Sequence, residues 1–315
     1  AEKIYAHKRA ILNVPDLRPW DLSVDNLQHA LPKPFEDMPD FINKLSRGFH
    51  TFDVQFGEWF DLLRDENLLD LNPRTNKISD YMSELRRIKR PFVSVNATPT
   101  RGGVRKTLHE LGHAFHALAY YQQPLFHQRE VPVEFKEIAA MSMELLPLQA
   151  LTDICFKAED HDRIVSQQLL MMIDIWLIVA MVERFQHWAY SHVDEASDPK
   201  ICDAQWLAIE KRFRPYINRD GLKNILQSGW SRWEHIMILP FYAIEYAMAQ
   251  LGALQLYQQY LAHPQQTLSA YKHVLSLGGT VTLPELYATA GIPFAFDQNA
   301  LEQSASFIDG KLGIA

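Results

Sequence analysis

His109 and His113 stand four residues apart in the run Leu108-His109-Glu110-Leu111-Gly112-His113. On a helix that spacing projects both rings from one face, a turn apart, close enough to grip one metal ion. Glu110 lies beside them on the same side. Its carboxylate can there hold a metal-bound water and take its proton, which is the chemistry that a His-Glu-x-x-His arrangement serves in hydrolysis. The plainer alternative is a pair of helix histidines with no ligand.

Zinc in a hydrolytic site takes three protein ligands and leaves a fourth position open. A third His six residues after the second, the metzincin solution, is excluded because that position is Ala119. The other solution is a Glu on a following helix. Pro124 and Pro132 bracket a segment that permits a chain reversal, after which Val133-Glu134-Phe135-Lys136-Glu137 starts a new helix. Glu134 falls in its first turn, where the helix dipole favours a carboxylate, so a capping charge accounts for it as well as a metal does. Glu137 lies deeper and precedes Ile138-Ala139-Ala140, a small apolar surface suited to close helix packing, and it is the choice for third ligand. Glu144, two turns further on the same face, is placed to orient His109 or His113 from behind, although an ordinary exposed glutamate is the competing reading. His116, three residues after His113, is expected near the cleft rim and not as a ligand.

The elements that must position these groups are mostly helices. Apolar residues recur at helical spacing over about 104–121, 133–156, 162–191 and 241–261, with shorter helices at both ends. The first of these carries Leu108, Leu111, Phe115 and Leu118 on the side opposite the histidines. The clearest strand is Pro91-Phe92-Val93-Ser94-Val95-Asn96, and residues 78–84 are suited to pair with it. The expected fold class is therefore mainly α, with a small antiparallel β-sheet beside the helix of His109 and His113. A single domain over 1–315 is the simplest organisation, with Pro32-Lys33-Pro34 as the best minor boundary.

Composition narrows the function classes. Of 315 residues, 47% are hydrophobic and 22% charged, the balance of a folded globular chain. A formal charge of −7 argues against nucleic acid as a partner, and Arg86-Arg87-Ile88-Lys89-Arg90 reads as a solvated face. Cys155 and Cys202 are too few for a disulfide framework and suit a cytoplasmic location. The first residues lack the apolar stretch of a secretory signal. The most apolar segment, 169–182, is too short to span a bilayer and carries Asp174, so it reads as a buried helix and no membrane partner is expected.

The sequence resembles the thimet oligopeptidase family of zinc metallopeptidases, and within it the oligoendopeptidase F branch. The resemblance rests on His109-Glu110-Leu111-Gly112-His113-Ala114-Phe115-His116 followed by Glu134-Phe135-Lys136-Glu137-Ile138-Ala139-Ala140-Met141-Ser142-Met143-Glu144-Leu145. Leu17-Arg18-Pro19-Trp20-Asp21-Leu22, the strand from Pro91, Pro240-Phe241-Tyr242-Ala243-Ile244-Glu245-Tyr246-Ala247 and Gly278-Gly279 extend it over nearly the whole chain. It implies a helical metallopeptidase catalytic domain with one zinc ion per chain on His109, His113 and Glu137. Glu110 is then the general base, and internal bonds of short peptides are the substrate. It further implies His and Tyr side chains that bind the substrate carbonyl and its oxyanion, for which His235, Tyr242 and Tyr246 are the candidates, with Gly229 lending that segment mobility. Tyr242 and Tyr246, one turn apart, are equally placed to be core aromatics.

The chain departs from the family in length, since members generally carry a further helical N-terminal half that roofs a channel. Either it is a fragment or it is a compact form with a more open cleft. The alternative function is a zinc-retaining peptide-binding or assembly module that needs a separate N-terminal half for catalysis, and a non-peptide amide substrate is a third.

Overall fold

In the computed structural model of the protein, which describes residues 2–24 and 33–313, the Thr100 hydroxyl accepts the Gly103 N–H at 3.1 Å and so starts the helix that carries His109. In chain order the elements are α1 (Glu2–Leu12), α2 (Met38–Phe52), α3 (Val54–Asp65), β1 (Leu69–Asp70), β2 (Tyr81–Leu85), β3 (Arg90–Ser94), α4 (Arg101–Tyr120), α5 (Val133–Met143), α6 (Leu148–Cys155) and α7 (His161–Ser191). They continue as α8 (Val193–Ala196), α9 (Pro199–Phe213), α10 (Lys223–Leu226), α11 (His235–Ile238), α12 (Ala243–Ala262), α13 (Pro264–Leu277), α14 (Leu283–Ala290) and α15 (Gln298–Leu312). Pro32, part of the expected minor boundary, lies outside the described residues. The chain falls into two compact units, one of Leu31–Ser166 with Met248–Ala305 and one of Ala1–Ala30, Gln167–Ala247 and Ser306–Ala315.

In the first of these units, Asp37 caps α2 by accepting the Asp40 N–H, and Asp53 caps α3 by accepting from Gln55 and Phe56. These two helices bring Phe41, Leu45, Phe49, Phe56 and Phe60 to complete burial. Phe115 of α4 enters that cluster with its ring centroid 5.0 Å from Phe49 and 5.3 Å from Phe56. Truncating a buried phenylalanine of this kind costs about 3–5 kcal/mol, so this face anchors α4 strongly. Leu108 and Leu111 are buried with it, whereas Leu118 is only partly so.

The sheet has the order β1-β3-β2. β2 runs antiparallel to β3, with Met82 opposite Val93 and Glu84 opposite Pro91, close to the expected pairing. β1 adds parallel to β3, with Leu69 opposite Val93, so the sheet is mixed rather than purely antiparallel. Two residues carry no period, which is why β1 is invisible in the sequence. The connection into β2 is pinned by Lys77, whose buried ammonium donates to the carbonyls of Asp70 at 2.7 Å and Val95 at 2.9 Å. Asp80 adds a second tether, accepting from the Asn96 N–H at 2.8 Å and from Lys106 of α4 at 2.7 Å.

The expected helix over 133–156 is broken. α5 ends at Met143 and α6 starts at Leu148, bent by 42°, because Pro147 has no N–H to give and its ring crowds the carbonyl four residues back. The break makes Glu144 the residue that closes the C-terminal end of α5.

In the other unit, Phe185 and Met181 of α7 pack with Trp206 of α9, Ile236 and Trp230. Asp174, the charge inside the apolar run, accepts a hydrogen bond from the Tyr5 hydroxyl at 2.9 Å. The apolar segment is longer than 169–182. The helical stretch Ala158–Ser191 is long and apolar enough, by length and composition, to cross a membrane, with a mean hydropathy of 1.8 over its most apolar window. Of that window 44% is buried within the fold, so the helix expected to be buried is about half so.

Candidate metal centre

α4 and α5 bring His109, His113 and Glu137 together. One ligand atom from each lies within 4.8 Å of the other two. Glu137 Oε2 is 3.5 Å from His109 Nε2, and Oε1 is 3.8 Å from His113 Nε2. The rings of His109 and His113 meet edge to face with centroids 4.9 Å apart. Tetrahedral zinc bonds of about 2.0–2.2 Å place ligand atoms roughly 3.3 Å from one another, close to the spacing found.

The polar bookkeeping of the site also fits a cation. Glu137 is buried, and its Oε2 has no hydrogen-bond donor among the described residues. A buried carboxylate oxygen without a donor is costly, and a cation between it and the two imidazoles satisfies it. Burial raises the pKa of the Glu137 carboxyl, with the Glu144 charge adding to the effect. His113 is driven well below the ordinary imidazole value by burial and by the neighbouring His109, which leaves its nitrogen able to act as a ligand. Burial also opposes charge on His109, but its hydrogen bond to Glu144 and the carboxylates of Glu137 and Glu110 outweigh that and push it up to about 9.

Glu144 sits behind His109. The His109 Nδ1–H donates to its Oε1 at 2.8 Å, which turns Nε2 toward Glu137. Arg105, one turn before His109 on α4, donates to Glu144 Oε2 at 3.1 Å. Glu110 is buried, and the backbone N–H of Met82 in β2 donates to its carboxylate. Burial raises Glu110 to about 7, with Glu137 and Asp80 adding to the shift and His109 opposing it.

His116 departs from expectation. It is buried rather than at a rim, with its ring against Tyr120 at 5.1 Å and Phe135 at 5.9 Å, and burial pushes it down to about 3. Three residues from His113 is far enough round α4 to turn it from the ligand face into the core.

In the other unit, His235, Tyr242 and Tyr246 form one aromatic group. His235 stacks on Tyr242 at 5.4 Å, and Tyr246 meets both rings edge-on, at 6.0 Å from His235 and 5.3 Å from Tyr242. The turn before Tyr242 is held from α7, where the Gln186 side chain accepts the Phe241 N–H at 2.7 Å. Phe241 itself has a φ of 64°, an uncommon conformation for a bulky residue.

Two parts of the site were missed in the sequence. Arg105 has a readable signal, being four residues before His109 on the same helix face. The Met82 N–H has none, since a backbone donor is identified only once the strand is placed.

Fold and site together define a class: a mainly helical protein whose His-Glu-x-x-His helix and the helix after it converge on a candidate metal centre. The model of peptidase family M3 matches residues 1–306, and the chain belongs to that family. No curated protein sequence matches it. Among solved structures, PZ peptidase A with an inhibitor superposes with a TM-score of 0.91 at 24% identity, over 99% of this chain and 55% of that one. A Bacillus anthracis protein assigned as an oligoendopeptidase F does so with a TM-score of 0.85 at 23% identity, over 100% of this chain and 53% of that one. Oligoendopeptidase-F from Enterococcus faecium gives 0.60 at 15%, over 99% and 48%. These likenesses show a shared fold, and the chain spans about half the length of each of these structures.

Proposed function

We propose that the protein is a zinc-dependent endopeptidase that hydrolyses internal bonds of oligopeptides. The observation that carries the reading is the convergence of His109, His113 and Glu137 with the buried Glu110 beside them. The first three would hold the ion, which when bound supplies Lewis-acid polarisation of a carbonyl and an acidified water. Glu110 accepts the proton of the attacking water at its carboxylate and returns it to the leaving nitrogen.

The sheet supports a peptide as substrate. β2 lies at the end of the sheet, and Val93 gives its N–H to Leu68, so the pair Met82–Val93 is not hydrogen-bonded and Met82 turns its backbone outward. Glu84 follows with the same orientation. With the Met82 N–H facing Glu110, an extended peptide can add to such an edge as one more strand through the Met82 carbonyl and the Glu84 backbone, beside Glu110. Hydrogen bonds from His235, Tyr242 and Tyr246 to the substrate carbonyl belong to the same proposal, supported by their grouping. A cytoplasmic location belongs to it too, supported by two buried free cysteines.

The test is incubation of the purified chain, of known metal content, with quenched peptides of several lengths, with and without a chelator. Chelator-sensitive cleavage within the shorter peptides is the expected result. Coverage of about half of the similar structures favours a second reading, a zinc-retaining peptide-binding module that needs a separate half for catalysis. Bound zinc and bound peptide without cleavage would select it.

A further inference from the structure

Glu144 is a poor place for a carboxylate on general grounds. Its side chain is only 5% exposed, and it closes the C-terminal end of α5, where the helix dipole disfavours negative charge. Two groups from one face of α4 offset this. Arg105 Nη1 holds Oε2 at 3.1 Å and His109 Nδ1 holds Oε1 at 2.8 Å, so each carboxylate oxygen has its own donor. A carboxylate fixed at one oxygen by a guanidinium keeps its other oxygen in place, and here that oxygen decides which way the His109 ring faces.

We propose that Arg105 is a positioning residue for His109, acting through Glu144 to hold the ring with Nε2 toward Glu137 and thereby strengthening metal binding. The inference rests on the zinc reading above but concerns a residue that the reading does not use. Arg105 is on the helix that supplies both histidine ligands, while Glu144 ends the helix that supplies Glu137. The relay therefore ties the two ligand-bearing helices together directly behind the ligands. Removing the guanidinium leaves a buried carboxylate with one donor fewer and frees it to turn away from His109.

The test measures zinc affinity of the full chain by competition with a chromogenic chelator. Arg105→Met is expected to bind zinc about 10- to 100-fold more weakly than the unaltered protein, the usual cost of losing a partner behind a metal-ligating histidine. Arg105→Lys is expected to recover much of that loss, because it restores the charge without the fork. In a Glu144→Gln background Arg105→Met is expected to change affinity by less than about threefold, because its route to His109 is already broken. Thermal unfolding of the metal-free variants checks that they fold, and Arg105→Gln replaces Arg105→Met if the latter does not. Zinc affinity of Arg105→Met within about twofold of the unaltered protein, or the same loss in both backgrounds, overturns the inference while leaving the zinc reading intact. An unaltered protein that binds no zinc sinks both.

Discussion

Glu110→Gln is expected to leave the metal in place and to lower kcat for peptide cleavage at least about 10³-fold. The substitution is nearly isosteric, and the amide oxygen can face the Met82 N–H as the carboxylate does now, so neither β2 nor α4 needs to move. On the proposed mechanism it removes the group that carries a proton between the water and the leaving nitrogen. In the metal-free protein, burial sets the Glu110 pKa at about 7. A divalent cation at His109, His113 and Glu137 favours the ionised carboxylate and draws that value down, so in the loaded protein Glu110 is ready to accept a proton at neutral pH. The measurements are zinc content and the turnover of a quenched peptide. Full zinc content with turnover near that of the unaltered protein sinks the assignment of Glu110 as base.

How much of this was legible in the sequence depends on how local each signal is. His109, Glu110 and His113 are one turn of one helix, and four-residue spacing alone puts them on a common face. Glu137 needed a second step, from proline-bracketed reversal to a new helix, and the small residues after it gave the reason for close packing. The third strand was hidden because two residues have no period, and the contact from Met82 to Glu110 was hidden because it depends on the placement of a strand. Pro147 did carry the signal for the break between α5 and α6, but the helical pattern runs on through it. That break places Glu144 at a helix end, within reach of both His109 and Arg105. For His116, its type suggested chemistry, and its position round the helix decided for the core. For α7, the helical period over 162–191 matches the helix His161–Ser191, whereas the short apolar segment 169–182 understated how much of that helix is apolar.

Gly112→Val is expected to separate α4 from α5, lowering both stability and zinc affinity. A Cβ at Gly112 would lie 2.6 Å from Ala140 Cα, 2.9 Å from the Ala139 carbonyl oxygen and 3.1 Å from that of Ala140, all backbone atoms that have no rotamer to yield. The Ala139 carbonyl is also engaged, since the Tyr271 hydroxyl donates to it at 2.8 Å. A shift of α5 therefore disturbs that buried bond as well. In an unobstructed helix, replacing Gly by Val would gain only about 0.3 kcal/mol, whereas here overpacking costs about 1–3 kcal/mol or more and decides the sign. The same displacement carries Glu137 away from His109 and His113, and zinc tolerates only about 0.2 Å of error in its ligand distances, so affinity is expected to fall at least about tenfold. Gly310→Ala is the control, because no heavy atom lies within 4 Å of a Cβ at that helical position, and it is expected to stabilise by about 0.5–1 kcal/mol. Denaturant unfolding and zinc competition on both variants separate the effects. A Gly112→Val protein with unaltered unfolding midpoint and zinc affinity would mean that the close approach of α4 and α5 is not what brings Glu137 to the two histidines.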